Sequence, residues 1–164
     1  MGDELPLTNI TPDDPRYALL YEHALRGVDR QATRLEELRG RATNLFGAGA
    51  IAGGFLAAEV FKPGADLTAL AWVGAAAFAL TGCLLGVVLV PWRWKSFVAN
   101  QTDVARLVET GESLGTMHNS LAHLFACSYR YNEPKLRRLA LTVAAMAVGV
   151  VVEVMALLGN LAIQ

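Results

Sequence analysis

Apolar and polar positions alternate along this chain in two distinct rhythms. From Tyr17, the residues Tyr21, Ala24, Val28, Gln31, Leu35, Leu38, Ala42 and Leu45 follow at steps of four and three. That spacing places them on one stripe of a helix and makes a heptad seam of about four repeats, broken in polarity only by Gln31. Asp14-Pro15 supplies an acidic cap and a first-turn proline, so a helix is expected from residue 15 to about 42. A second seam of near-heptad spacing runs through Val104, Val108, Gly111, Leu114, His118, Leu121 and Phe125. It predicts a helix ending near Tyr131, with Asn132-Glu133-Pro134 restarting the chain as a new one.

Elsewhere the rhythm gives way to apolar runs: residues 43–61, 67–91 and 139–161. At 1.5 Å per residue each run spans roughly 28–37 Å, close to the hydrocarbon thickness of a bilayer. A chain crossing lipid must satisfy its backbone internally, so all three are expected to be helices. The KPGAD stretch (62–66) joins the first two as a hairpin, and no loop signal separates the first run from the helix before it. The expected fold is therefore all-α: an integral membrane domain over 15–164 with three transmembrane helices and two amphipathic cytoplasmic helices. The cytoplasmic helices fall in 15–42 and within the loop 92–138. Residues 1–14, acidic and holding Pro6 and Pro12, are expected to be a disordered cytoplasmic tail without the features of a signal peptide.

Charge gives the runs an orientation. Of the 14 Lys and Arg residues, six lie in 1–42, one (Lys62) in the hairpin turn and seven in 92–138. The positive-inside bias places the N-terminus and the long loop in the cytoplasm and the C-terminus outside. Trp92 and Trp94, flanking Arg93, fit interfacial anchors. With 54% hydrophobic residues the chain exceeds the usual soluble share of about 45–50%. Its net charge of −1 gives no attraction to nucleic acid.

Candidate chemistry is sparse. No phosphate loop, zinc-binding motif or nucleophile elbow is present, and Cys83 and Cys127 have no metal spacing. His23, His118 and His123 form no shared face. No catalytic residue, metal or cofactor is expected, and an enzyme is not. Arg26, Arg30 and Arg34, at i, i+4 and i+8, make one basic stripe. It reads either as a solvated face balanced by Glu22, Asp29, Glu36 and Glu37, or as a site for an anionic ligand such as a nucleotide phosphate. Small residues recur at four-residue spacing: Gly49 and Gly53, Gly54 and Ala58, Gly82 and Gly86, Ala145 and Gly149. Such pairs let helix backbones approach closely in lipid, within one subunit or between the copies of a homo-oligomer.

One residue violates the third run. Glu153 stands alone among apolar neighbours, where a charge at a helix centre costs about 2.5–3.5 kcal/mol or more. It is expected to face protein or water. Trp72, entering from the outer side to a similar depth, is the expected donor to its carboxylate, and Glu59 is expected to share the polar patch. The residue fits a lock between helices, the lining of an ion path, or a contact with another membrane protein.

The layout resembles the Pycsar transmembrane effectors of bacterial anti-phage defence and, more loosely, the SLATT family. LEELRGRATNLF (35–46) entering the first span and YRYNEPKLRRLAL (129–141) entering the third carry the likeness, which covers about residues 16–162. Where Pycsar-type members often place an acidic residue and a lysine before the first span, this chain has Arg39 and Arg41. The resemblance implies a dormant protein of the bacterial inner membrane, triggered by a cyclic nucleotide or a partner, that oligomerises and impairs the membrane. A non-catalytic scaffold or accessory subunit of a larger membrane complex is the alternative.

Overall fold

A computed structural model of the chain describes residues 14–62, 68–90 and 101–163. The described residues form four helices: α1 (Arg16–Val60), α2 (Ala69–Leu89), α3 (Gln101–Glu109) and α4 (Leu114–Ile163). α1, α2 and α4 are long and apolar enough to cross a membrane. Only 17%, 17% and 28% of their most apolar stretches are buried among the described residues, so most of each apolar surface faces outward. Ile51, Phe55, Leu80, Val148 and Met155 are among the large side chains facing outward. The interfacial anchors Trp92 and Trp94, the 1–13 tail and most of the hairpin turn lie outside the described residues.

Local signals set the helix ends. Asp14 Oδ1 accepts from the Arg16 backbone N–H at 2.8 Å, capping α1. The same carboxylate pairs with the Arg16 guanidinium, which holds the Asp14 carboxyl below its ordinary range. Thr68 caps α2 by accepting from the Leu70 N–H at 3.2 Å. α3 ends at Glu109, and the chain turns at Gly111, whose φ of 66° is a left-handed conformation that glycine adopts without strain. Ser113 then caps α4, its hydroxyl accepting from the Thr116 N–H at 3.3 Å.

The break in the second polar segment therefore falls at 110–113, not at Asn132-Glu133-Pro134. α4 passes through Pro134 without interruption. Proline removes one N–H and crowds the preceding turn, a local cost of about 3 kcal/mol. Here its ring faces outward, while Leu136, Leu139, Val143 and Met146 continue the buried stripe beyond it. Packing along that stripe outweighs the local preference. The expected seam of α3 and early α4 also shifts. Val104, Val108 and Leu114 are exposed, and Ala122 and Phe125 with the polar Ser128 and Asn132 carry the buried face.

Two compact units divide the described residues. The first takes α1 up to Thr33, α3, and α4 up to Pro134. There α1 and α4 lie parallel: Tyr21 stacks on His118 with ring centroids 5.2 Å apart, and Gln31 reaches Tyr129 and Glu133 farther along both helices. The second takes α1 from Arg34, α2, and α4 from Lys135. There too α1 and α4 are parallel, Gly49 meeting Val150 and Gly53 meeting Glu153. α2 runs antiparallel to α4, with Leu70 against Gly159 and Thr81 against Gly149. Buried positions on α1 fall at 28, 31, 35, 42, 49, 53 and 60, at steps of three, four and seven, so the heptad stripe of the polar segment carries on through the apolar one.

A buried carboxylate as the candidate functional site

Glu153 sits on the inner face of α4 with 2% of its surface exposed. Its neighbours are set by the absence of side chains opposite. A Cβ on Gly53 would overlap Glu153 Oε1, and one on Gly49 would lie 3.7 Å from Oε2 and 3.0 Å from Val150 Cγ2. The two glycines of α1, one turn apart, thus form a cradle into which the carboxyl group fits. Only a side chain with no Cβ opposite it can be seated so close to a helix backbone. Oε2 is buried and has no hydrogen-bond partner among the described residues. An unpaired buried polar atom of this kind is destabilising by about 1–3 kcal/mol, and by more when charged.

The expected partners of Glu153 are elsewhere. Trp72 is 63% exposed on the outer face of α2, because the buried stripe of that helix runs through Ala71, Gly74, Thr81 and Val88. Glu59 is exposed and pairs with Lys62 on the next turn of the chain. Trp72 therefore does not supply the donor that the sequence suggested, and Glu59 does not share the polar patch.

Above and below the carboxylate α2 closes on α4. A Cβ on Gly149 would lie 2.5 Å from Thr81 Oγ1, and one on Gly74 would lie 2.9 Å from Leu157. Thr81 is buried and donates to the Ala77 carbonyl at 2.8 Å, which satisfies its hydroxyl within its own helix. Toward the far end, the Thr68 hydroxyl donates to Asn160 Oδ1, joining the cap of α2 to α4. Asn160 is fully buried, and its Nδ2 has no partner among the described residues. Asn160 carries no distinguishing signal in the sequence. A polar residue near the end of a span looks ordinary until its burial is known.

Among the packing glycines singled out by spacing, Gly49, Gly53, Gly82 and Gly149 have close neighbours, Gly82 lying against Phe46. Gly86 has open space where its Cβ would be. Gly74 and Gly159 belong to the contact set without matching any four-residue pair.

Arg26, Arg30 and Arg34 all lie on the exposed side of α1. Arg26 pairs with Glu22 at 3.1 Å, an exposed i,i+4 bridge of the kind worth at most a few tenths of a kcal/mol. Among the described residues no cluster of three metal-ligating side chains exists. Comparison with protein-family models, with curated proteins and with solved structures gives no match.

Proposed function

We propose that this chain is a bacterial inner-membrane effector that oligomerises and permeabilises the membrane, with Glu153 as the group that meets permeating ions or protons. The carrying observation is the Glu153 carboxyl group, packed into the Gly49–Gly53 cradle with Oε2 buried and unpartnered among the described residues. A carboxyl group that deep in an apolar helix lowers stability and finds no compensating donor on Oε2. Intramembrane acids of this kind mark ion and proton paths. In the resting state the cradle seals the group between α1 and α4. Parting of the two helices on assembly exposes it to a hydrated lumen, and the outward apolar faces supply surface for assembly.

The trigger in this reading acts on the polar segments of α1 and α4, where the stripe Arg26, Arg30 and Arg34 offers exposed charge to a cyclic nucleotide. The test is leakage from dye-loaded liposomes holding the purified protein, with and without a panel of cyclic nucleotides. Leakage by the wild type, reduced at least tenfold in Glu153→Gln at equal reconstitution, supports the reading. Intact liposomes under every condition, with a stoichiometric protein partner co-purifying from cells, would instead identify a scaffold or accessory subunit.

A further inference from the structure

α1 and α4 leave a groove between them in the second unit, with a volume of about 600 Å³. That lies within the roughly 300–1,000 Å³ range of ligand-binding clefts. Leu38, Leu45 and Ala48 of α1, with the polar Asn44 among them, form one wall, and Ala140, Val143 and Ala144 of α4 form the other. The groove exists because alanines stand where larger side chains would close it.

Its charge is confined to one end. Arg41 lines it directly. Arg34 precedes Arg41 by seven residues on the same stripe of α1, and Arg137 precedes Ala140 and Ala144 by three and seven on the same stripe of α4. Because α1 and α4 run parallel, all three arginines fall at the same end. Each is exposed. Arg41 also stands 3.9 Å from Glu37, a long contact that leaves its other donors available.

We propose that the groove seats one acyl chain of an anionic phospholipid, with its phosphate held by Arg41 and Arg137. From Arg41 the wall descends through Leu45 to Ala48, about 10 Å, or two thirds of one leaflet of a roughly 30 Å hydrocarbon core. The basic end is the one that the positive-inside bias assigns to the cytoplasm, where anionic headgroups attract juxtamembrane arginines. A second copy of this chain is a poorer occupant. Copies inserted with the same topology bring their own arginines to the same level, and like charges meet. The proposal rests on α1 and α4 being membrane spans and is independent of any permeation by Glu153.

The test is native mass spectrometry of the delipidated full chain in neutral detergent, titrated with phosphatidylglycerol or with phosphatidylcholine of the same acyl chains. One phosphatidylglycerol is expected to be retained at least tenfold more tightly than phosphatidylcholine. The Arg41→Gln/Arg137→Gln pair abolishes that preference, and Ala144→Phe, which fills the groove, abolishes retention while helicity by circular dichroism is kept. Should Ala144→Phe lose helicity, Ala140→Leu fills the same space. Millimolar glycerol phosphate leaves the lipid bound; its displacement would mark a free-phosphate site and overturn the proposal. Equal retention of the two lipids, unchanged retention in Ala144→Phe, or lipid-free dimers that the filling substitution dissolves would also overturn it.

Discussion

The Glu153 carboxylate occupies the space that any side chain on Gly53 would need. The relation fixes both residues at once, since the acid cannot be seated without the glycine and the glycine leaves a void without the acid. Gly53→Ala is therefore expected to destabilise the fold by about 1–3 kcal/mol, the usual cost of overpacking. Gly86→Ala, facing open space, is expected to stay within about 0.5 kcal/mol of the wild type. Thermal unfolding of both variants in the same detergent checks the contrast, and equal effects would place Glu153 elsewhere.

The Thr68–Asn160 link makes a second, independent prediction. Thr68→Val removes both the cap of α2 and the bond to Asn160, and is expected to cost about 1–2 kcal/mol. Asn160→Leu alone removes a buried amide whose Nδ2 is already unpaired, so it should cost less. The double variant should lose less than the sum of the two single losses, because both remove the same hydrogen bond. Strict additivity in a double-mutant cycle would show that the bond contributes nothing.

Gln31 is the polar member of an otherwise apolar stripe. Its Nε2 donates to the Tyr129 carbonyl at 3.1 Å and to Glu133 Oε2 at 3.0 Å, while Oε1 is buried without a partner. Gln31→Leu should hold or raise the unfolding temperature, since it replaces an incompletely satisfied amide by a seam residue. Gln31→Glu sets a buried acid against Glu133 and should cost about 3 kcal/mol or more at neutral pH, with part of the loss recovered on acidification. A Gln31→Glu variant as stable as the wild type at pH 7 would refute the contact.

Acid should fray the start of α1. Arg16 lowers the Asp14 carboxyl below its unfolded value, chiefly through their side-chain hydrogen bonds. The cap is thus fully present above the ordinary carboxylate range and is lost as pH falls through the lowered folded value. The protection factors of the amides at residues 16–18, taken against the intrinsic exchange rate at each pH, are expected to fall only on that acid side. Asp14→Asn keeps the cap and removes the pH dependence; Asp14→Ala loses protection at every pH.

Much of this architecture was legible in the chain, for identifiable reasons. The stripe Val28, Leu35 and Ala42 is visible because a helix face repeats every seven residues, and burial follows it. Glu153 is visible as an outlier in an apolar run. Its cradle is not, because periodicity assigns a face to each helix and does not say which faces meet. Trp72 and Glu59 were natural partners by depth alone, yet both turn outward. The unbroken passage of α4 through Pro134 was hidden for a related reason. Local rules weigh proline against one turn of helix, while the buried residues on both sides of it decide the outcome.

Lipid around the outward faces of α1, α2 and α4 is the premise of the proposed function, and Trp72 reports on it directly. Trp92→Phe/Trp94→Phe leaves Trp72 as the sole indole of the chain, 63% exposed on α2. In vesicles of phospholipids brominated along the acyl chains, its fluorescence is expected to be strongly quenched, while aqueous iodide leaves it bright. Full emission in brominated vesicles together with quenching by iodide would place that face in water and contradict the account.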